Sequence, residues 1–112
     1  MSVAGEMKLS LFALAVTLCS AETASAQLSP DARRGLTFIR VHCAQCHAID
    51  KVSDSLLTIA PPFRDLHLKF PIETLRRRLS EGISAAHPTM PTFRLDADQI
   101  SDVLAYLKTF EP

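Results

Sequence analysis

No stretch of this 112-residue chain is both long and apolar enough to cross a hydrocarbon layer, which takes about 20 residues. The longest apolar run, Leu9 to Cys19, is shorter than that and is broken by Ser10 and Thr17. An excess of one charge is missing too. Twelve Lys and Arg residues balance 12 Asp and Glu, so nothing argues for nucleic acid or for a strongly charged partner. Strand-like alternation, internal repeats and low-complexity tracts are absent as well, which leaves an all-α reading. Cysteine is scarce, with only Cys19, Cys43 and Cys46.

The first 26 residues read as an address rather than as structure. Lys8 and the α-amino group give a weakly basic start, Leu9 to Cys19 is the apolar segment, and Ala24-Ser25-Ala26 offers small residues at a cleavage site. The expected products are a signal peptide, residues 1–26, and a domain over residues 27–112 that begins at Gln27. An exported, periplasmic protein without stable membrane insertion follows from this. An uncleaved N-terminal anchor is the alternative, because Glu6 weakens the positive start. A lipoprotein at Cys19 is disfavoured by the bulky Leu18. Residues 27–112 carry eleven basic against ten acidic side chains.

Helix signals account for most of the remainder. Ser29-Pro30-Asp31 starts a helix, with a capping side chain, a proline at the first position and an acid favoured by the dipole. Ala32, Gly35, Phe38, Ile39 and His42 then recur at three- and four-residue steps, predicting one amphipathic face that runs into Cys43. Gly35 costs such a helix roughly 1 kcal/mol relative to Ala, which a close helix crossing offsets. Asp96 and Gln99 form a capping box, Leu95 and Ile100 a staple, and Ile100, Val103, Leu104 and Leu107 an apolar stripe, predicting a helix from Ala97 to Thr109. Pro71-Ile72-Glu73 opens a third helix with Ile72, Leu75 and Leu79 on one face and Gly82 as its left-handed stop. Pro61-Pro62 predicts a loop followed by a short helical turn, residues 50–60 a loop, and His87 to Phe93 an extended loop. Three or four helices with long connections make a thin core for 86 residues, a deficit that a large rigid cofactor would reduce.

Cys43-Ala44-Gln45-Cys46-His47 has the spacing that attaches haem covalently: two thiols reach the vinyl groups along one porphyrin edge and the adjacent His reaches the iron. Other uses of these residues lack support. A zinc site needs two further ligands, and His42, His67 and His87 lie in no Cys/His spacing pattern. A thioredoxin-like pair expects a βαβ surrounding. A plain disulfide leaves His47 without a purpose.

Gly35 eight residues before Cys43, the CAQCH segment, Met90-Pro91-Thr92-Phe93 and Leu104-Ala105-Tyr106-Leu107-Lys108 together resemble the class I cytochrome c family over essentially all of residues 27–112. The resemblance implies an all-α fold of three to four helices wrapped around one covalent haem c. It implies that Gly35 packs against Tyr106, and that Met90 is the second axial ligand of the iron opposite His47. Independently, Met90 is the only thioether of residues 27–112 and sits in a proline-stiffened loop rather than on an apolar helix face. His87 is the nearest rival ligand; His42 is too close to the attachment site and His67 reads as a surface or core-edge side chain. Family members carry Gly-Pro after the attachment site, the proline carbonyl holding the imidazole. Here Ala60-Pro61 stands in that place, with Pro62 as a second candidate. Arg76-Arg77-Arg78 reads as solvated arginines, although one of them, or Arg64 or Arg94, is a candidate partner for a haem propionate.

Six ligands on the iron leave no open position for substrate, so the expected role is an electron carrier rather than an enzyme. The partners expected for it are redox proteins: a periplasmic dehydrogenase, an oxidase or a membrane complex. It is expected to act as a monomer. Two other readings stay open: a dedicated cytochrome subunit of one dehydrogenase, and a haem enzyme or gas-binding sensor with a labile or absent sixth ligand.

Overall fold

The computed structural model describes residues 27–82 and 90–112. The expected leader, residues 1–26, and His87 lie outside the described residues. Four helices and no strand occur among those described: α1 (Pro30–His42), α2 (Leu66–Lys69), α3 (Leu75–Glu81) and α4 (Ala97–Leu107). None is long and apolar enough to cross a membrane.

α1 begins where its sequence signals put it. The Ser29 hydroxyl accepts from the Ala32 N–H at 3.2 Å and Pro30 occupies the first helical position. Ala32, Gly35 and Ile39 are buried and Phe38 is partly so. His42, expected on the same face, is instead exposed, and its ring lies 4.3 Å from that of Phe38. α4 has both halves of its capping box, Asp96 accepting from the Gln99 N–H and Gln99 from the Asp96 N–H. Leu95, Ile100, Val103, Leu104 and Leu107 are all buried. Its last predicted turn tightens into a 3₁₀ turn over Lys108–Phe110, a common ending for a helix.

The middle of the chain is more irregular than its periodicity implies. 3₁₀ turns at Phe63–Asp65 and Ile72–Thr74 lead into α2 and α3. Neither start has a side-chain cap, so i→i+3 bonds satisfy the backbone there. Ile72, Leu75 and Leu79 are buried as the pattern predicts. Gly82 ends α3 with φ +100° and ψ 125°, and its N–H donates to the Arg78 carbonyl. The positive φ is the expected one, but the ψ is not that of the left-handed helix.

α1 and α4 pack against each other more extensively than any other pair of elements. The crossing centres on Gly35, where an added Cβ would fall 2.0 Å from the Asp102 carbonyl oxygen and 3.0 Å from the Val103 nitrogen. These nearest atoms are α4 backbone one turn before Tyr106, which the family resemblance implied as the contact. The Tyr106 hydroxyl donates to the Ile49 carbonyl and its ring meets Phe110 edge-on. Outside the crossing, Arg34 bridges the same helices by donating to Asp102 at 2.8 and 2.9 Å.

Candidate functional site

The Cys43–His47 segment continues from the end of α1 as a tight turn. Cys43 N–H still donates to Ile39, while the Cys46 and His47 N–H groups both donate back to the Cys43 carbonyl at 3.2 and 3.0 Å. That folding brings two half-buried, unpaired cysteines and an imidazole within one turn of each other. Burial pushes the Cys43 thiol up to about 11, with Cys46 beside it adding to the shift, so it stays protonated near neutrality. Among the described residues no group of three His, Cys, Asp or Glu side chains gathers as a metal site would need.

His47 is held on two sides. Its Nδ1 is 2.8 Å from the Pro61 carbonyl oxygen; since a carbonyl only accepts, Nδ1 carries the proton and Nε2 keeps its lone pair. Phe63 lies against the ring, with centroids 4.9 Å apart. Of the two proline candidates the bond selects Pro61. Ala60, in place of the family's glycine, is buried, and among the described residues only Gly82 has a positive φ, so the alanine takes this backbone path without strain.

The loop between His47 and Pro61 is pinned at several points. Ala48 N–H donates to the Ser55 hydroxyl, Leu57 N–H to the Cys46 carbonyl, and Phe63 N–H back to the Ala48 carbonyl. Arg64 donates to the Ser53 carbonyl at 2.6 Å. Asp50 closes the first turn by accepting from the Ser53 hydroxyl and from the Ser53 and Val52 N–H groups, contacts that hold its carboxyl down at about 2.

A cavity of about 950 Å³, counting the open solvent at its mouth, lies between this turn and the helices. His47, Cys43 and Pro61 line it, as do Phe38 from α1, Leu66 from α2, Leu75 and Leu79 from α3, and Val103 and Leu107 from α4. Met90 lines it too, together with Phe93 and Leu95 that follow. The structure therefore brings Cys43, His47, Pro61 and Met90, 43 positions beyond His47, to one cavity, with Cys46 in the adjoining turn. His42 and His67 are not on its wall. His42 meets Phe93 edge-on at 5.8 Å, bracing the segment that carries Met90. His67 is half-buried on α2, with Nδ1 enclosed and unpartnered among the described residues.

Three features of the site escape sequence reasoning. Phe63 carries no signal beyond its place after Pro61-Pro62, yet it fixes the imidazole plane. Phe70 enters the wall from the end of α2. Lys69 and Arg78 are the charged side chains of the lining, and only Arg78 belongs to a run singled out by composition.

The family model described as cytochrome c oxidase, cbb3-type, subunit III matches residues 30–107. Cytochrome c-552 of Bradyrhizobium diazoefficiens is similar to this chain, 26% identical over 106 residues that cover 95% of the chain and 100% of that protein. No solved structure matches.

Proposed function

The chain belongs to the cbb3-type cytochrome c oxidase subunit III family, and from that membership we propose a small exported carrier of single electrons with one haem c, joined to Cys43 and Cys46 and bound axially by His47 and Met90. As a c-type cytochrome of the all-α class I fold it works in electron transfer and is not an enzyme. The observation that carries the finer reading is that His47, its Nδ1 bonded to Pro61, and Met90 line one largely apolar cavity bordered by Cys43.

Each residue has a task that follows from its contacts. Donation from Nδ1 to the Pro61 carbonyl keeps the His47 Nε2 lone pair available and raises its basicity as a ligand. Phe63 against the ring opposes its rotation. Cys43 and Cys46 are not joined to each other, so both sulfurs are available to form thioethers. Met90 offers a soft, neutral sulfur, which favours the reduced state more than a second imidazole does. The aliphatic and aromatic wall makes the space beside these two ligands largely apolar. Haem c supplies one-electron chemistry at its iron when bound.

Residues 1–26 are assigned as a leader cleaved after Ala26, which delivers the protein to the periplasm, where haem c is attached. The oxidase in the family's description favours partners in oxidase complexes, with a dehydrogenase as the source of electrons. The decisive measurement is the optical spectrum, oxidised and reduced, of protein exported alongside cytochrome c maturation machinery, with its mass after acid–acetone extraction. Retained haem with a near-infrared iron–methionine band that disappears in Met90→Ala is the expected result. Retained haem without the band refutes the Met90 assignment, and a haem-free mass refutes the whole reading.

A further inference from the structure

The three consecutive arginines of α3 point to three different environments, as side chains about 100° apart on a helix must. Arg76 donates to Glu73 at 3.1 Å and to Ser101 at 3.3 Å, and Arg77 pairs with Glu81 at 3.3 Å. Arg78 pairs with no carboxylate among the described residues. Its guanidinium carbon instead lies 5.8 Å from the centre of the Phe70 ring, and both side chains line the cavity. Lys69, the last residue of α2 and neighbour of Phe70, lines the same wall and is likewise without a carboxylate among the described residues. Residues 83–89, between α3 and Met90, contain no Asp or Glu in sequence.

Several other cations of the described residues are engaged, Arg34 with Asp31 and Asp102, Lys108 with Glu73, and Arg64 with the Ser53 carbonyl, whereas Arg33, Arg40, Lys51 and Arg94 do not line the cavity. The two on the cavity wall stand out because the rest of that wall is dominated by apolar side chains. A cation at the edge of an apolar cavity, held against an aromatic face, is a receptor for an anionic group on whatever fills the cavity. The guanidinium fork matches a carboxylate in two-point fashion, whereas an ammonium acts as a point charge.

We propose that Arg78, with Lys69 beside it, binds the propionate carboxylates of the haem and so sets which edge of the macrocycle faces the α2–α3 corner; this rests on the function proposed above. Arg78 is then a positioning residue. Its charge also disfavours the ferric state, because that state carries one more positive charge than the ferrous state.

The test uses mature holoprotein carrying Arg78→Met, Arg78→Lys, Lys69→Met or, as a control, Arg77→Met. Arg78→Met keeps a side chain against Phe70 but loses the charge, and Arg78→Lys keeps the charge. The expected result is a lower midpoint potential for Arg78→Met, a smaller fall for Lys69→Met, and little change for Arg78→Lys or Arg77→Met. At a fixed poise the ferric-to-ferrous ratio of Arg78→Met should rise several-fold. If Arg78 acted only by packing on Phe70, Arg78→Met and Arg78→Lys would change the potential to the same extent, which overturns the proposal. Redox-difference infrared spectra with ¹³C-labelled propionates give a second readout: the labelled carboxylate band must shift in Arg78→Met and not in Arg77→Met. An unmoved band overturns the proposal while leaving covalent haem intact. Protein without haem overturns both this and the proposed function.

Discussion

Replacing Gly35 by alanine tests the α1–α4 crossing on which the cavity depends. The added methyl would sit 2.0 Å from the Asp102 oxygen, 2.5 Å from the Asp102 carbonyl carbon and 3.0 Å from the Val103 nitrogen. All three are backbone atoms, so no rotamer change makes room. Restoring ordinary contact at about 3.5 Å means parting the helices by about 1.5 Å. A gap of 0.5–1 Å already forfeits a quarter to a half of each dispersion contact along the seam. Overpacking of this kind costs about 1–3 kcal/mol. Against that stands the gain of roughly 1 kcal/mol from alanine's higher helix propensity. With the lost seam contacts included, a net destabilisation of about 2 kcal/mol is expected, a fall in melting temperature of roughly 8–16 °C for a domain of this size. Guanidinium unfolding of the holoprotein gives the number directly, since covalent attachment keeps the cofactor on the chain in both states. Thr37→Ala, on the exposed side of α1, is the control and should stay within about 0.5 kcal/mol of the parent. A Gly35→Ala variant as stable as the parent, or more so, would show that α1 and α4 do not meet at this point.

Tyr106→Phe removes the hydroxyl that donates to the Ile49 carbonyl and should cost about 1–2 kcal/mol, read as a lower urea midpoint with unchanged slope; an unchanged midpoint would mean that the bond contributes nothing. Asp50 accepts from the Ser53 hydroxyl and from two N–H groups, and these hold its carboxyl at about 2, below its usual value. Because that value is depressed by folding, its contribution to stability is present above the unfolded pKa of about 3.9 and is lost as pH falls towards 2. The stability difference between the parent and Asp50→Asn should therefore shrink between pH 5 and pH 2 in thermal unfolding, and a constant difference would contradict this account.

How much of this was legible in the sequence depends on how local each signal is. α4 was readable almost to the residue because Asp96, Gln99, Leu95 and the apolar stripe all act within one helix. The 3₁₀ starts of α2 and α3 were not, since periodicity over three residues does not separate i→i+3 from i→i+4 bonding. Gly35 announced a close approach without saying that its nearest neighbours are backbone atoms of Asp102 and Val103. At the site, Cys43, Cys46 and His47 are adjacent in sequence and were visible together, whereas the Pro61 contact and the convergence of Met90 with His47 depend on chain paths of 14 and 43 residues. The choice of Arg78 over Arg76 and Arg77 was hidden for the same reason: their carboxylate partners and the Phe70 ring are fixed by how α3 packs, not by the run itself.

The position of the helix crossing has a consequence for how the chain bears a load. Gly35 is five residues from the start of α1 and Val103 four from the end of α4, so each outer helix end lies only about 6–8 Å along its axis from the joint. Chain entering at Pro30 and chain leaving at Leu107 are therefore each within about a turn and a half of the joint along their own helix. A pull applied to the chain at either of these helix ends is borne by a seam already closed by backbone contact, not by the looser middle of the chain.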